Sequence, residues 1–131
     1  MQYMLMCCFD EEAWEALPET RKAAIMQETA EFIRSIVRSG HYRASARLQP
    51  TATTTTVRAR NGRLVTTDGP FAETREQLGG YYLLDCRDLD DAINWASRIP
   101  GAQQGLIEVR PVMNYDTVGI DRDVQAHEAA R

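Results

Sequence analysis

Two short segments, residues 3–9 (Tyr-Met-Leu-Met-Cys-Cys-Phe) and 80–86 (Gly-Tyr-Tyr-Leu-Leu-Asp-Cys), are apolar at both odd and even positions. A β-strand sends successive side chains to opposite faces of its sheet, so strands of this kind need cover on both sides. The chain offers two helices for that purpose. Pro18 sets the start of the first, Ile25, Thr29, Phe32, Ile33, Ile36 and Val37 share one face at helical spacing, and Gly40 closes it. Asp88 caps a second helix that runs to Ile99, with Leu89, Ala92, Ile93 and Ala96 inward and Pro100-Gly101 as its stop.

The remaining elements follow from local chemistry. Residues 10–17 read as an acidic loop or helical turn, and residues 42–48 as an edge or irregular strand ending at Pro50. Asn61-Gly62 separates two strand-like runs, 53–60 and 63–67, and both of its residues tolerate the positive φ of a type I′ turn. A two-residue turn fixes the register, pairing Ala59 with Leu64, Val57 with Thr66 and Thr55 with Asp68. With Arg58, Arg60 and Arg63 on the wet face, Asp68 is expected to point inward. Residues 106–112 form the last strand, with Ile107 and Val109 on one face and Glu108 and Arg110 on the other. The order β-α-β-β-β-α-β is that of an α+β, ferredoxin-like domain with an extra hairpin. Both helices then cover one face of the sheet, and a second copy of the chain is expected to cover the other, giving a twofold homodimer.

At 131 residues the chain makes one domain, read as residues 1–113 followed by a C-terminal tail, 114–131, without sustained periodicity, expected to be partly ordered or docked on the partner subunit with Tyr115, Val118 and Ile120 as anchors. Apolar residues at 44% and charged residues at 26% are the proportions of a folding chain rather than a disordered one. No apolar run is long enough to span a bilayer, and the first residues lack signal-peptide chemistry, so the cytoplasm is expected and no membrane partner. A net charge of −4 argues against a nucleic-acid partner, although residues 40–67 carry five Arg and no acid. Cys7, Cys8 and Cys86 fit neither a disulfide framework nor a metal-binding spacing, and no metal site or cofactor is expected.

Residues 68–80 read Asp-Gly-Pro-Phe-Ala-Glu-Thr-Arg-Glu-Gln-Leu-Gly-Gly. Together with Leu48-Gln49-Pro50, the Asn61-Gly62 turn and the closing Ile107-Glu-Val-Arg-Pro-Val, this stretch resembles the bacterial DGPF-domain family within the YCII-related superfamily. The resemblance runs from Gln2 to Met113 and implies a dimeric α+β barrel. It also implies a signalling association, because such proteins are often encoded beside extracytoplasmic-function sigma factors. Some members of the superfamily carry a His and an Asp near a cleft. This chain departs from them: the helix over 18–39 holds no His, and Ile99-Pro100-Gly101 stands where those members have Asp-Pro-aromatic. That pair is therefore not transferred.

Among the carboxylates, Asp68 and Glu108 are the candidates for proton exchange with a substrate in a partly closed cleft. Each has a structural alternative, Asp68 as the start of a turn and Glu108 as the ion-pair partner of Arg110. Phe71, Glu73, Arg75, Tyr81, Arg110 and His41 are the candidate ligand-binding residues. Of Tyr81 and Tyr82, which face opposite ways, one is expected to line a cavity and the other to pack under a helix. The resulting expectation is a dimeric protein that binds a small polar or aromatic molecule, with lyase- or isomerase-type acid–base activity as its chemistry. The alternative is an accessory protein that contacts a sigma factor.

Overall fold

The computed structural model describes residues 1–113 and 119–130. Strand β1 (Gln2–Phe9) buries Tyr3 and Leu5 beneath the helices and leaves Met4 and Met6 half-buried on the opposite side. Asp10 starts the short helix α1 (Glu11–Glu15) by accepting from the backbone N–H groups of Glu12 at 3.0 Å and Ala13 at 3.2 Å. Pro18 leads into α2 (Glu19–Ser39), which ends at Gly40 in the left-handed conformation, φ 83°. Ile25, Phe32 and Ile36 bury their side chains, whereas Val37 is 54% exposed. The contact stripe of α2 is thus one position narrower than the spacing predicts.

Strands β2 (Tyr42–Arg47), β5 (Gln77–Asp85) and β6 (Gly105–Pro111) join β1 in a four-stranded sheet of order β2-β5-β1-β6, antiparallel throughout. With α3 (Leu89–Ser97) this is the ferredoxin-like arrangement, in which each helix carries the chain between strands that are not neighbours. Asp88 caps α3 as expected, accepting from the N–H of Asp91 at 2.9 Å. The buried face is Asp91, Ala92, Trp95 and Ala96, while Leu89 and Ile93 are 49% and 48% exposed. Trp95, not Ile93, is the large side chain that α3 delivers to the core. Phe32 sits at its centre, edge-on to Tyr82 at 5.4 Å and to Trp95 at 6.1 Å.

Between β2 and β5 the chain makes the hairpin β3 (Thr55–Arg60) and β4 (Arg63–Asp68), with Asn61 at φ 51° and Gly62 at φ 76°. Its register is the expected one, Thr55 opposite Asp68 and Ala59 opposite Leu64. The inward placement of Asp68 is not observed. The hairpin forms a sheet of its own, no strand of the larger sheet pairs with it, and every residue of β4 is exposed. Its base is tied by the Gly69 N–H to the Thr54 carbonyl and by the Thr56 hydroxyl to the Gly69 carbonyl, both at 2.7 Å.

The segment read as an aperiodic tail contains a helix, α4 (Ile120–Ala129), entered through Gly119 at φ 75°. Among its described side chains, Arg122 and Val124 through Ala129 are exposed. Tyr115 and Val118, two of its expected anchors, lie outside the described residues. No described helix is long and apolar enough to cross a membrane.

Candidate functional site

The sheet's register sets Arg47, Gly80, Cys7 and Ile107 in one row across β2, β5, β1 and β6. The row lies on the helix-covered face, and Gly80 puts no side chain where the neighbouring strands carry theirs. A cavity of about 370 Å³ results between this row and the Ile25, Met26, Thr29 and Ile33 side of α2. Gly80 is fixed there by strand packing, since a Cβ would come within 2.7 Å of the Ala46 carbonyl oxygen. The neighbouring Gly79 is equally constrained, because its Cβ would overlap the ring of Phe9.

Helix α1 closes one end of the cavity. Glu11 anchors it: the carboxylate accepts from the Thr51 N–H at 2.9 Å and the Thr51 hydroxyl at 2.8 Å, and the Glu11 N–H donates to Gln77 at 3.0 Å. Trp14 is thereby held at the cavity wall, edge-on to Phe9 at 6.1 Å, with the Arg47 guanidinium 5.1 Å from its ring centre. The turn at Ile99–Ala102 closes the other end.

Tyr82 and Cys7 are two titratable groups on the helix-facing wall of the cavity. Burial pushes the Tyr82 phenol from its ordinary 10.0 up to about 12, with Cys7 and Tyr42 adding to the effect. Burial, with Cys8 beside it, pushes the Cys7 thiol from 9.0 up to about 11. Both groups are therefore neutral at physiological pH. Raised values mean that the folded state holds these protons where the unfolded chain has released them, so stability is complete below about pH 9 and falls as pH rises toward 12. Tyr82→Phe is expected to flatten that alkaline decline, measured as the denaturation midpoint between pH 8 and 11.

The structure brings few of the sequence-predicted site residues together. Tyr82 faces the helices and packs edge-on against Phe32 of α2, whereas Tyr81, level with Met6 in the register, stands on the opposite face of the sheet. Phe71, Glu73 and Arg75 line a separate, open groove of about 760 Å³ between α1 and the base of the hairpin. Asp68 is exposed at the end of β4, and Glu108 and Arg110 are exposed on β6; none of the three lines either hollow or forms an ion pair among the described residues.

His41 lies at the opposite end of the sheet. Its Nε2 is 3.0 Å from Asp91 Oδ2 and its Nδ1 is 2.8 Å from the Ser39 hydroxyl. Asp91 is 6% exposed and also accepts from the Arg87 N–H at 3.0 Å. That backbone hydrogen bond above all holds the Asp91 carboxyl below the usual carboxylate range, with His41 adding to it. A His–Asp pair thus exists, built from two residues fifty positions apart and remote from the cavity. Among the described residues no group of three or more His, Cys, Asp or Glu side chains is placed to hold a metal ion.

Trp14, Arg47, Cys7 and the Ile25–Met26–Thr29 side of α2 are the cavity residues that sequence reasoning passed over. Two signals pointed to them: a Trp inside an acidic turn, and an Arg on an edge strand in a segment without acids.

The arrangement is that of a ferredoxin-like α+β domain with an apolar cavity between its sheet and its longer helix. The chain belongs to the YCII-related family: the YCII-related domain matches residues 1–116. An uncharacterised protein of Rhizobium meliloti (strain 1021) is 38% identical over 117 residues, covering 88% of this chain and 94% of that protein. A solved structure of 5-chloro-2-hydroxyhydroquinone dehydrochlorinase from Burkholderia phenoliruptrix AC1100, in complex with 2,5-dihydroxybenzoquinone, aligns over 89% of this chain and 98% of its own at 10% identity and a TM-score of 0.47.

Proposed function

We propose that this protein binds a small aromatic molecule in the cavity beneath α2. The observation that carries the reading is the cavity itself, about 370 Å³ with mainly apolar walls and a few hydroxyl and thiol groups. Ligand sites span about 300–1,000 Å³. An apolar cavity of about 150 Å³ admits benzene, which makes this one large enough for two rings. Binding is favoured over lyase- or isomerase-type chemistry because no carboxylate or imidazole is among the described residues lining the cavity. Two titratable groups there, Tyr82 and Cys7, keep their protons at physiological pH.

The uncharged two-ring probe 2-naphthamide is expected to raise the melting temperature, because a ligand that binds only the folded state must stabilise it. It should also change the emission of Trp14. In Trp14→Phe the melting shift should persist while most of the emission change disappears, since the other Trp, Trp95, is buried in the core. No shift at millimolar probe would count against the cavity as a binding site.

We also infer a homodimer formed through the sheet face that the helices leave open. Met4, Met6, Tyr81 and Leu83 are only half-buried there in the single chain, and a paired interface of roughly 1,200 Å² or more would cover them. Light scattering should find twice the chain mass of 14.8 kDa at micromolar concentration, and a stable monomer would contradict the pairing. Truncation after Met113 should keep the fold and weaken this dimer modestly. Three unpaired cysteines accord with action in the cytoplasm.

One observation favours the second reading, contact with a sigma factor. The hairpin exposes Val57 at 59% and Leu64 at 77%, on one face of the ladder, and the loop after it exposes Phe71 at 82%. Leu64→Asp should then abolish capture of a purified extracytoplasmic-function sigma factor without altering probe binding.

A further inference from the structure

We propose that the natural ligand of the cavity is an anion, a planar aromatic acid whose carboxylate or equivalent group is gripped by Arg47. The inference rests on the cavity reading above and adds the chemical class of its occupant.

Arg47 is the one charged side chain among the described residues that line the cavity. Four arginines elsewhere have acidic partners among the described residues, Arg43 meeting Asp85 at 2.9 Å, Arg34 meeting Glu31 at 2.9 Å, Arg21 meeting Glu28 at 3.9 Å and Arg87 meeting Asp91 at 3.6 Å, while those without one, such as Arg58, Arg60, Arg63 and Arg110, lie away from the cavity. Arg47 meets no carboxylate among the described residues. Its Nη1 donates to the Met26 sulfur at 2.7 Å, and its guanidinium lies against the Trp14 ring at 5.1 Å. A thioether is a weak acceptor, and a guanidinium carries five donors, so most of its hydrogen-bonding capacity is unspent.

The surroundings keep it so. Residues 40–67 contain no acid, leaving Arg47 no neutralising neighbour in its own segment. Met26 and the Trp14 face hold the planar fork at the cavity edge, where a carboxylate can accept two parallel N–H bonds. Behind Arg47 along the same sheet row come Gly80, Cys7 and Ile107, with Ile25 and Ile33 above them. Charge at one end and flat apolar walls beyond define an aromatic body bearing one acidic group. Tyr82 and Cys7, both protonated, leave the interior without negative charge to oppose an anion.

The test is calorimetric titration of the full chain and of Arg47→Met with a matched pair of probes, 2-naphthoate and its neutral counterpart 2-naphthamide. Methionine keeps the apolar stem at an exposed edge-strand position, so the variant should fold, which circular dichroism checks. The expected result is that the native chain prefers naphthoate about tenfold or more. Arg47→Met should lose that preference while binding naphthamide within about threefold of the native chain. Arg47→Lys, with charge but no planar fork, should recover only part of the preference. If the native chain binds both probes equally, or Arg47→Met still prefers naphthoate, the anion assignment is overturned while the cavity stands. If neither probe binds the native chain, the cavity reading itself falls.

Discussion

Phe32→Ala is expected to lower the unfolding free energy by about 3–5 kcal/mol, enough to depress the melting temperature by about 10 °C or more. Phe32 is 6% exposed and supplies the contact between α2, the Tyr82 ring of β5 and the Trp95 ring of α3. Truncation removes apolar area and leaves a hole whose walls are two large rings, which cannot close it by a rotamer change. Phe32→Leu keeps most of the volume and forfeits chiefly the edge-to-face geometry, so its cost should be about 1–2 kcal/mol. A loss under about 1 kcal/mol for the alanine variant in chemical denaturation would show that the three elements are held by other contacts.

Asp91→Ala should cost about 2–3 kcal/mol at neutral pH, because the Arg87 N–H and His41 Nε2 both lose their acceptor in a mostly buried place. The pH dependence has a definite sign. The folded Asp91 carboxyl sits below its ordinary value, so its contribution is present above about pH 4, where the unfolded chain is also ionised, and fades as pH falls through the depressed folded value. The gap between the native chain and the variant should therefore narrow on acidification, and Asp91→Asn should lack this acid dependence. A gap that stayed constant from pH 7 to pH 2.5 would mean that the carboxylate charge is immaterial to the junction.

The elements of the fold are legible in the sequence wherever the determinant is local. Asn61-Gly62 sets both the turn and the register of the hairpin, Asp88 marks the start of α3, and Gly40 marks the end of α2. Tertiary selection decided the rest. Leu89 and Ile93 are as apolar as a core demands, yet the angle at which α3 meets the sheet turns Trp95 inward instead. Asp68 alternates correctly along its strand, but alternation says which side a residue takes and not whether that side is covered. The cavity was illegible for another reason. Its row, Arg47, Gly80, Cys7 and Ile107, takes one residue from each of four strands, and only the strand order and the pairing registers align them. The His41–Asp91 pair likewise joins the α2–β2 turn to the first turn of α3, a proximity that no spacing rule contains.

The hairpin divides the chain in a particular way. Every ladder of the four-stranded sheet, β2 with β5, β5 with β1 and β1 with β6, joins a strand made before the hairpin to one made after it. Neither half contains a sheet pair of its own. During synthesis, strand β1, apolar on both faces, and helix α2 must therefore wait outside the ribosome until residue 77 and beyond have emerged, because no hydrogen bond of the main sheet can form earlier. Only the hairpin, whose partners are adjacent in sequence, can close in the meantime. Its arginines then place a charged, soluble segment beside an amino-terminal half that still lacks its sheet partners.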